Sequence, residues 1–330
     1  MPGMLALVEI TPLYWSGFVG FILFCLALDL GVFHRGAYKV SFKSALVWTL
    51  IWCSLAMLFA AALVPLQGKH EALDFLTGYV IEFSLSMDNV FVIALIFAYF
   101  QVPEKYQHRV LFWGILGALV MRGFMIAAGT KLVQQFQWTL YIFGGFLVFT
   151  GIKMLFAGDG GIHPEKNPVL RVARKLFPVS PELDGHKLFT RINGRRALTP
   201  LMIVLLMVET SDLIFALDSI PAIFSVTTKA FIVFTSNVFA ILGLRSLYFL
   251  LAGAISYFRY LKVGLSLVLV FIGVKMLIDP HTVDDRATKW FQLQIPTTIS
   301  LMVVATIILC SIVLSVMVAE REKREGVKKN

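Results

Sequence analysis

Nine stretches of the chain are long and apolar enough to cross a bilayer, near 13–34, 44–66, 73–100, 110–130, 138–157, 199–226, 230–255, 260–278 and 293–319. A spanning helix needs about 20 mostly apolar residues, and the joints between most of these stretches are short. The exception is 158–198, rich in Gly, Pro and charge, which reads as an extramembrane connector and not a folded domain. The pattern predicts an all-α polytopic membrane protein, with residues 1–330 forming a single membrane domain. Composition agrees: 58% of the 330 residues are hydrophobic and 15% charged, against about 45–50% and 25% in soluble proteins. A cytosolic enzyme, a disordered chain and a disulfide-framed secreted domain are excluded. Cys25, Cys53 and Cys310 stand singly in apolar runs and read as small hydrophobes. The first residues lack a basic n-region and a cleavage site, so they are expected to stay in the mature chain.

The net charge of +9 acquires a meaning once the basic residues are placed on this pattern. One set of alternate loops, with the C-terminal tail, holds twenty Lys and Arg; the other holds five, and four lie inside spans. Loops rich in Lys and Arg stay in the cytoplasm. The N-terminus is therefore expected outside, with the C-terminus and the long connector inside. The basic surplus sets topology, and a nucleic-acid partner loses its support because no single basic fold remains to carry it.

Two halves of the chain repeat one another. The third to fifth spans (repeat A, about 73–157) carry Glu82, Asp88 and Asn89, then Arg122, then VFTGIKML over 148–155 with Lys153. The sixth to eighth (repeat B, about 199–278) carry Asp212, Asp218 and Ser219, then Arg245, then VFIGVKML over 270–277 with Lys275. Acid, Arg and Gly-x-Lys recur in the same order, which apolar similarity alone does not produce. With the expected topology the two triplets run in opposite directions. Such an inverted 3+3 repeat is the architecture of many secondary transporters, whose substrate site lies near the midplane. The spans at 13–34, 44–66 and 293–319 are accessory.

The candidate chemistry lies in the charges inside the spans. Six acids lie well inside the spans: Asp29, Glu82, Asp88, Glu209, Asp212 and Asp218. Four are bases: Arg122, Lys153, Arg245 and Lys275. Each costs on the order of 2.5–3.5 kcal/mol at a helix centre. Ion pairing between helices accounts for Arg122 and Arg245, and Lys153 and Lys275 are near enough to span ends to snorkel. The acids remain in excess, and a divalent cation or protons would neutralise them. Glu82, Ser86 and Asn89 share one helix face, as do Asp212, Ala216 and Ser219, with Glu209 one turn earlier. Asp88 and Asp218 lie off these faces, so joining one site requires a broken helix. Pro221 is expected to kink or unwind the chain near 217–221. With no His or Cys within a turn of the acids of the two repeats, the donors there are oxygen only, which suits Mn²⁺, Ca²⁺ or Mg²⁺. Glu82, Asp88, Asn89, Glu209, Asp212, Asp218 and Ser219 are the candidate metal ligands, with Asp29, Arg122, Arg245, Lys153 and Lys275 in support. No permanently bound cofactor is expected.

The strings GYVIEFSLSMDNVFV (78–92), VETSDLIFALDSIPAIF (208–224) and SNVFAILGLRSLYFLL (236–251) resemble the signature of the TerC/Alx family of bacterial integral membrane proteins. The resemblance runs from about residue 13 to 319. It implies an inner-membrane exporter of divalent metal ions, Mn²⁺ foremost, with a link to alkaline-pH response and an older one to tellurite resistance. By motif position it implicates the same seven residues, with Asp29 matching an acid of the first span. A non-transporting partner for assembly or metallation of other proteins is the alternative. An intramembrane aspartyl protease would also use two aspartates, but the YD and GLGD motifs of such enzymes are absent. A tellurite site would call for surplus positive charge.

Overall fold

The computed structural model describes residues 12–33, 42–156, 167–192, 194–252, 260–278 and 295–327. Eleven helices and one hairpin lie among them: α1 (Pro12–Phe33), α2 (Phe42–Gln67), α3 (Lys69–Tyr99), α4 (Glu104–Gln135), α5 (Thr139–Phe156), α6 (Pro168–Leu176), β1 (Phe189–Ile192), β2 (Arg195–Leu198), α7 (Pro200–Phe224), α8 (Ala230–Leu242), α9 (Leu244–Ala252), α10 (Leu261–Ile278) and α11 (Thr297–Val327). The chain is an all-α polytopic membrane protein. Among the described residues seven helices are long and apolar enough to cross a membrane, and the pair α8–α9, bent by 40° at Gly243, brings the number to eight if it counts as one span. In α1 the apolar segment Pro12–Ala27 is shorter than a full span.

Local signals fix the ends of these helices. Gly68 alone separates α2 from α3; its φ of 112° is open to glycine, and its N–H caps the Leu63 and Val64 carbonyls of α2. Thr199 accepts a hydrogen bond from the Met202 N–H, and Pro200 opens α7 where its missing N–H costs nothing. Asn167 and Pro168 do the same for α6. The connector is more ordered than its composition suggested. It holds α6 and an antiparallel hairpin that pairs Phe189 with Leu198 and turns at Gly194, φ 77°.

The expected break at Pro221 does not occur: α7 is helical from Pro200 to Phe224. Pro221 sits in the last turn, where only the Leu217 carbonyl loses its partner, and a helix in hydrocarbon keeps its remaining backbone bonds internal. The break lies instead between α8 and α9.

The helices of the two halves contact one another reciprocally. α3 packs on α8 and α4 on α7, while α3 meets α7, α4 meets α8 and α5 meets α10. The last is the most extensive contact among the described residues. A β-carbon added at Gly151 would lie 2.9 Å from Ser266 O and 2.8 Å from Val270; one added at Gly273 would lie 2.7 Å from Gly144 O and 2.8 Å from Val148. α5 and α10 therefore run antiparallel, and each lays its glycine against the valine of the other's matching VFxGxKML segment. Close approach through glycine is the usual means of tight packing where lipid supplies no hydrophobic drive.

Candidate functional site

Arg122, near the middle of α4, is 1% exposed. A guanidinium does not lose its proton, so at this depth it must be met by negative charge. Glu82 on α3 accepts from Nη1 at 2.9 Å; Asp212 on α7 accepts from Nε at 3.1 Å and Nη2 at 2.8 Å. The two-pronged bond to Asp212 uses the fork geometry that a lysine lacks. In the orientation that satisfies both ends of its amide, Asn89 also accepts from Nη2 at 3.2 Å and donates to Leu85 O at 3.2 Å. Glu82 and Asp212 occupy corresponding places in the two similar segments, and here they share one cation. Two carboxylates against one guanidinium leave a formal charge of −1. Three buried oxygens on the same helix faces, Glu82 Oε1, Ser86 Oγ and Ser219 Oγ, have no hydrogen-bond partner.

The remaining acids lie elsewhere. Asp88 and Asp218 are half-buried and close enough to repel one another. Asp218 lies beside Thr150 and Lys153 of α5, while Asp88 feels Lys262 at the start of α10. Because α3 and α7 are unbroken, the six-residue step from Glu82 to Asp88, or Asp212 to Asp218, turns the second acid to another face. The single acidic site that a broken helix would have assembled is thus divided in two. Glu209, one turn before Asp212, lies against Gly117 of α4, where a β-carbon would come within 2.0 Å of its carboxylate. Among the described residues no three His, Cys, Asp or Glu side chains are grouped to hold a metal ion.

The bases also separate. Lys275 does not snorkel: it is 1% exposed and its Nζ donates to the Ser225 carbonyl at 3.3 Å. The open C-terminal end of α7 offers it a backbone acceptor. Lys153, its counterpart in sequence, is exposed. Arg245 on α9 is buried. The side chain of Asp29 lies outside the described residues.

A buried acid absent from the sequence-based set is Asp74, 2% exposed in the second turn of α3. It accepts from Thr297 of α11 at 3.2 Å and approaches His70 Nδ1 at 3.3 Å. Nearby, Glu71 pairs with Lys229 ahead of α8. Asp74 sits at the polar edge of its span and has no counterpart in the second half, where Val204 stands, so the repeat does not flag it. The His70–Asp74 spacing, one helical turn, was the available signal.

Comparison with known proteins agrees with the membrane fold. The model of the family described as "Integral membrane protein TerC family" matches residues 67–323. An uncharacterized membrane protein of Myxococcus xanthus is 52% identical over 307 residues, 93% of each chain. A protein of Escherichia coli (strain K12), provisionally named membrane-bound redox modulator Alx, is 47% identical over 324 residues, 96% of this chain and 98% of its own. A Rickettsia bellii membrane protein is 40% identical over 303 residues. No solved structure matches.

Proposed function

The chain belongs to the TerC family of integral membrane proteins, and on that footing we propose that it exports divalent metal ions, Mn²⁺ foremost, across a bacterial inner membrane. One observation carries this reading: corresponding acids of the two halves, Glu82 and Asp212, converge on Arg122 at the centre of the bundle with one negative charge to spare. A structural ion pair needs no such surplus. An entering cation, or a proton, balances it.

The proposed architecture is an inverted 3+3 repeat within nine spans, α1 and the broken α8–α9 included, with the N-terminus outside. The antiparallel, reciprocal packing of α5 on α10 supports the inversion, and the twenty-to-five division of basic residues supports the orientation. In the ion-free state Arg122 occupies the oxygen cage as a tethered cation. An incoming Mn²⁺ takes Glu82, Asp212, Asn89 and the free oxygens of Ser86 and Ser219 as the guanidinium swings off, and rocking of one half against the other exposes it to the far side. Asp88, Asp218 and Glu209 line the route and exchange protons for the ion. Oxygen donors without thiolate or imidazole favour hard ions.

The test is Mn²⁺ flux into proteoliposomes under an imposed pH gradient. Flux is expected for the native protein and its loss, more than tenfold, in Glu82→Gln and Asp212→Asn. No flux under any gradient would favour the second reading, a non-transporting partner for assembly or metallation. The Alx relative's name also speaks of redox modulation; in this chain Cys25, Cys53 and Cys310 form no disulfide.

A further inference from the structure

The nine residues of α6 divide into three sectors around the helix. Leu170 is buried and Ala173 half-buried against the core that α7 contributes to. Val169, Val172 and Leu176 form a second stripe and are 40%, 56% and 69% exposed. Arg171, Arg174 and Lys175, all exposed, form a third on the side away from that stripe. A helix with a core face needs only the first. The other two are the two sides of an amphipathic surface helix.

The level of α6 in the membrane follows from its neighbours. Its N-cap Asn167 donates through Nδ2 to Met207 Sδ at 3.3 Å. At its other end, Leu198 N–H donates to the Pro178 carbonyl at 2.8 Å, one residue before the cap of α7. Met207 lies seven residues into α7, about 10 Å at 1.5 Å per residue. The 25 residues of α7 reach about 37 Å, against about 30 Å of hydrocarbon. α6 is therefore a slanted helix confined to the outer edge of the span. This is the depth, about 5–10 Å, to which interfacial helices insert. Beyond its C-terminus, Phe177 borders a cleft of about 690 Å³ with Lys187, Arg191 and Arg196, where Asp184 is the acidic member.

We propose that α6 is a lipid anchor for this end of the bundle. Val169, Val172 and Leu176 enter the acyl edge of the leaflet. Arg171, Arg174 and Lys175 bind the headgroups of anionic phospholipids, and the basic hairpin continues that surface. The occupant is the bilayer itself, because the stripe lies at hydrocarbon level beside a spanning helix and the charge opposite it is of one sign. The anchor requires no transport activity and stands or falls apart from it.

Full-length protein in nanodiscs of phosphatidylglycerol and phosphatidylethanolamine tests this. Spin labels go on Val172→Cys, Leu176→Cys and Arg174→Cys, with the three native cysteines replaced by alanine. Labels at 172 and 176 are expected to collide with oxygen more than with a water-soluble nickel chelate, and the label at 174 to do the reverse. Free access of the chelate to 172 and 176 would overturn the proposal. So would shielding from both reagents, the mark of a protein partner or second copy. Native mass spectrometry then compares the wild type with Arg171→Gln/Arg174→Gln/Lys175→Gln. The wild type should retain phosphatidylglycerol over phosphatidylcholine, with the preference falling about fivefold per charge removed. An unchanged preference would overturn the headgroup assignment.

Discussion

α3 and α7 each present two acids six residues apart, and the two pairs meet different surroundings. Glu82 and Asp212 close on one guanidinium that is 1% exposed and held by three hydrogen bonds. Asp88 and Asp218 face α5 and α10 and are half-buried, near the cations Lys153 and Lys262. The first site is rigid and costly to open because any partner removed leaves a charge in low dielectric. The second is half-buried, so its charges are less completely withdrawn from polar surroundings. One helix pair thus carries two acid pairs, and the two differ in how tightly the compensating cation is fixed.

Cutting the rigid site at its cation should have the largest effect. Arg122→Met strands two buried carboxylates and is expected to cost about 3–5 kcal/mol, read as thermal unfolding in detergent or as loss of protein from the membrane. Arg122→Lys keeps the charge but not the fork to Asp212, so it should fall between. Glu82→Gln/Arg122→Met/Asp212→Asn removes the imbalance and should recover much of the loss. If it recovers none, packing and not charge holds the site.

The seam between α5 and α10 carries the two halves on which the comparison rests. In Gly273→Ala the new methyl meets backbone, 2.7 Å from Gly144 O and 2.8 Å from Val148 N, so the helices must separate. A cost of about 1–3 kcal/mol is expected. Gly145→Ala on α5 meets nothing within 4 Å and should be neutral or stabilising by about 0.5–1 kcal/mol. Equal losses in the two variants would show that helix propensity, and not the seam, decides.

At the half-buried site the same chemistry should separate function from stability. Asp88→Asn and Asp218→Asn are expected to change unfolding by under about 1 kcal/mol, within the range of partly exposed ion pairs. Cells expressing them should lose most of the capacity to lower intracellular Mn. If the variants lower Mn as well as the parent, these two acids lie off the route.

The element pattern was readable because bilayer thickness imposes it on sequence: runs of about 20 apolar residues have few other uses. The acids of the triad were readable as well, since Glu82, Arg122 and Asp212 are charges where hydrocarbon penalises them. Which acid meets which base was not. Arg122 and Arg245 occupy matching places in sequence, yet one alone takes both Glu82 and Asp212, a choice made by the packing of α4 on α7. The single site expected from all the acids depended on Pro221 breaking α7, and its place in the last turn spared the helix. The stripe proposed to face lipid lies on a helix of nine residues, too few for a hydropathy window sized to a membrane span.

The smallest effect is expected outside the membrane, where a lone carboxylate provides the contrast to both intramembrane sites. Asp184 is partly exposed, and the Thr190 hydroxyl and Lys187 Nζ donate to it and hold its pKa below the usual aspartate range. A folded-state pKa below the unfolded one contributes stability above the unfolded pKa, and that contribution is lost as pH falls through the folded value. The change should therefore lie on the acid side of ordinary aspartate titration, leaving the hairpin intact at neutral pH. Carboxyl carbon shifts of Asp184 across an acid titration would read it directly. Thr190→Val removes the larger of the two contributions and should move the midpoint upward, toward ordinary aspartate, without altering Mn²⁺ flux at neutral pH. A midpoint unmoved by the substitution would mean that Lys187 alone sets it, and exposed ion pairs of that kind weaken with added salt.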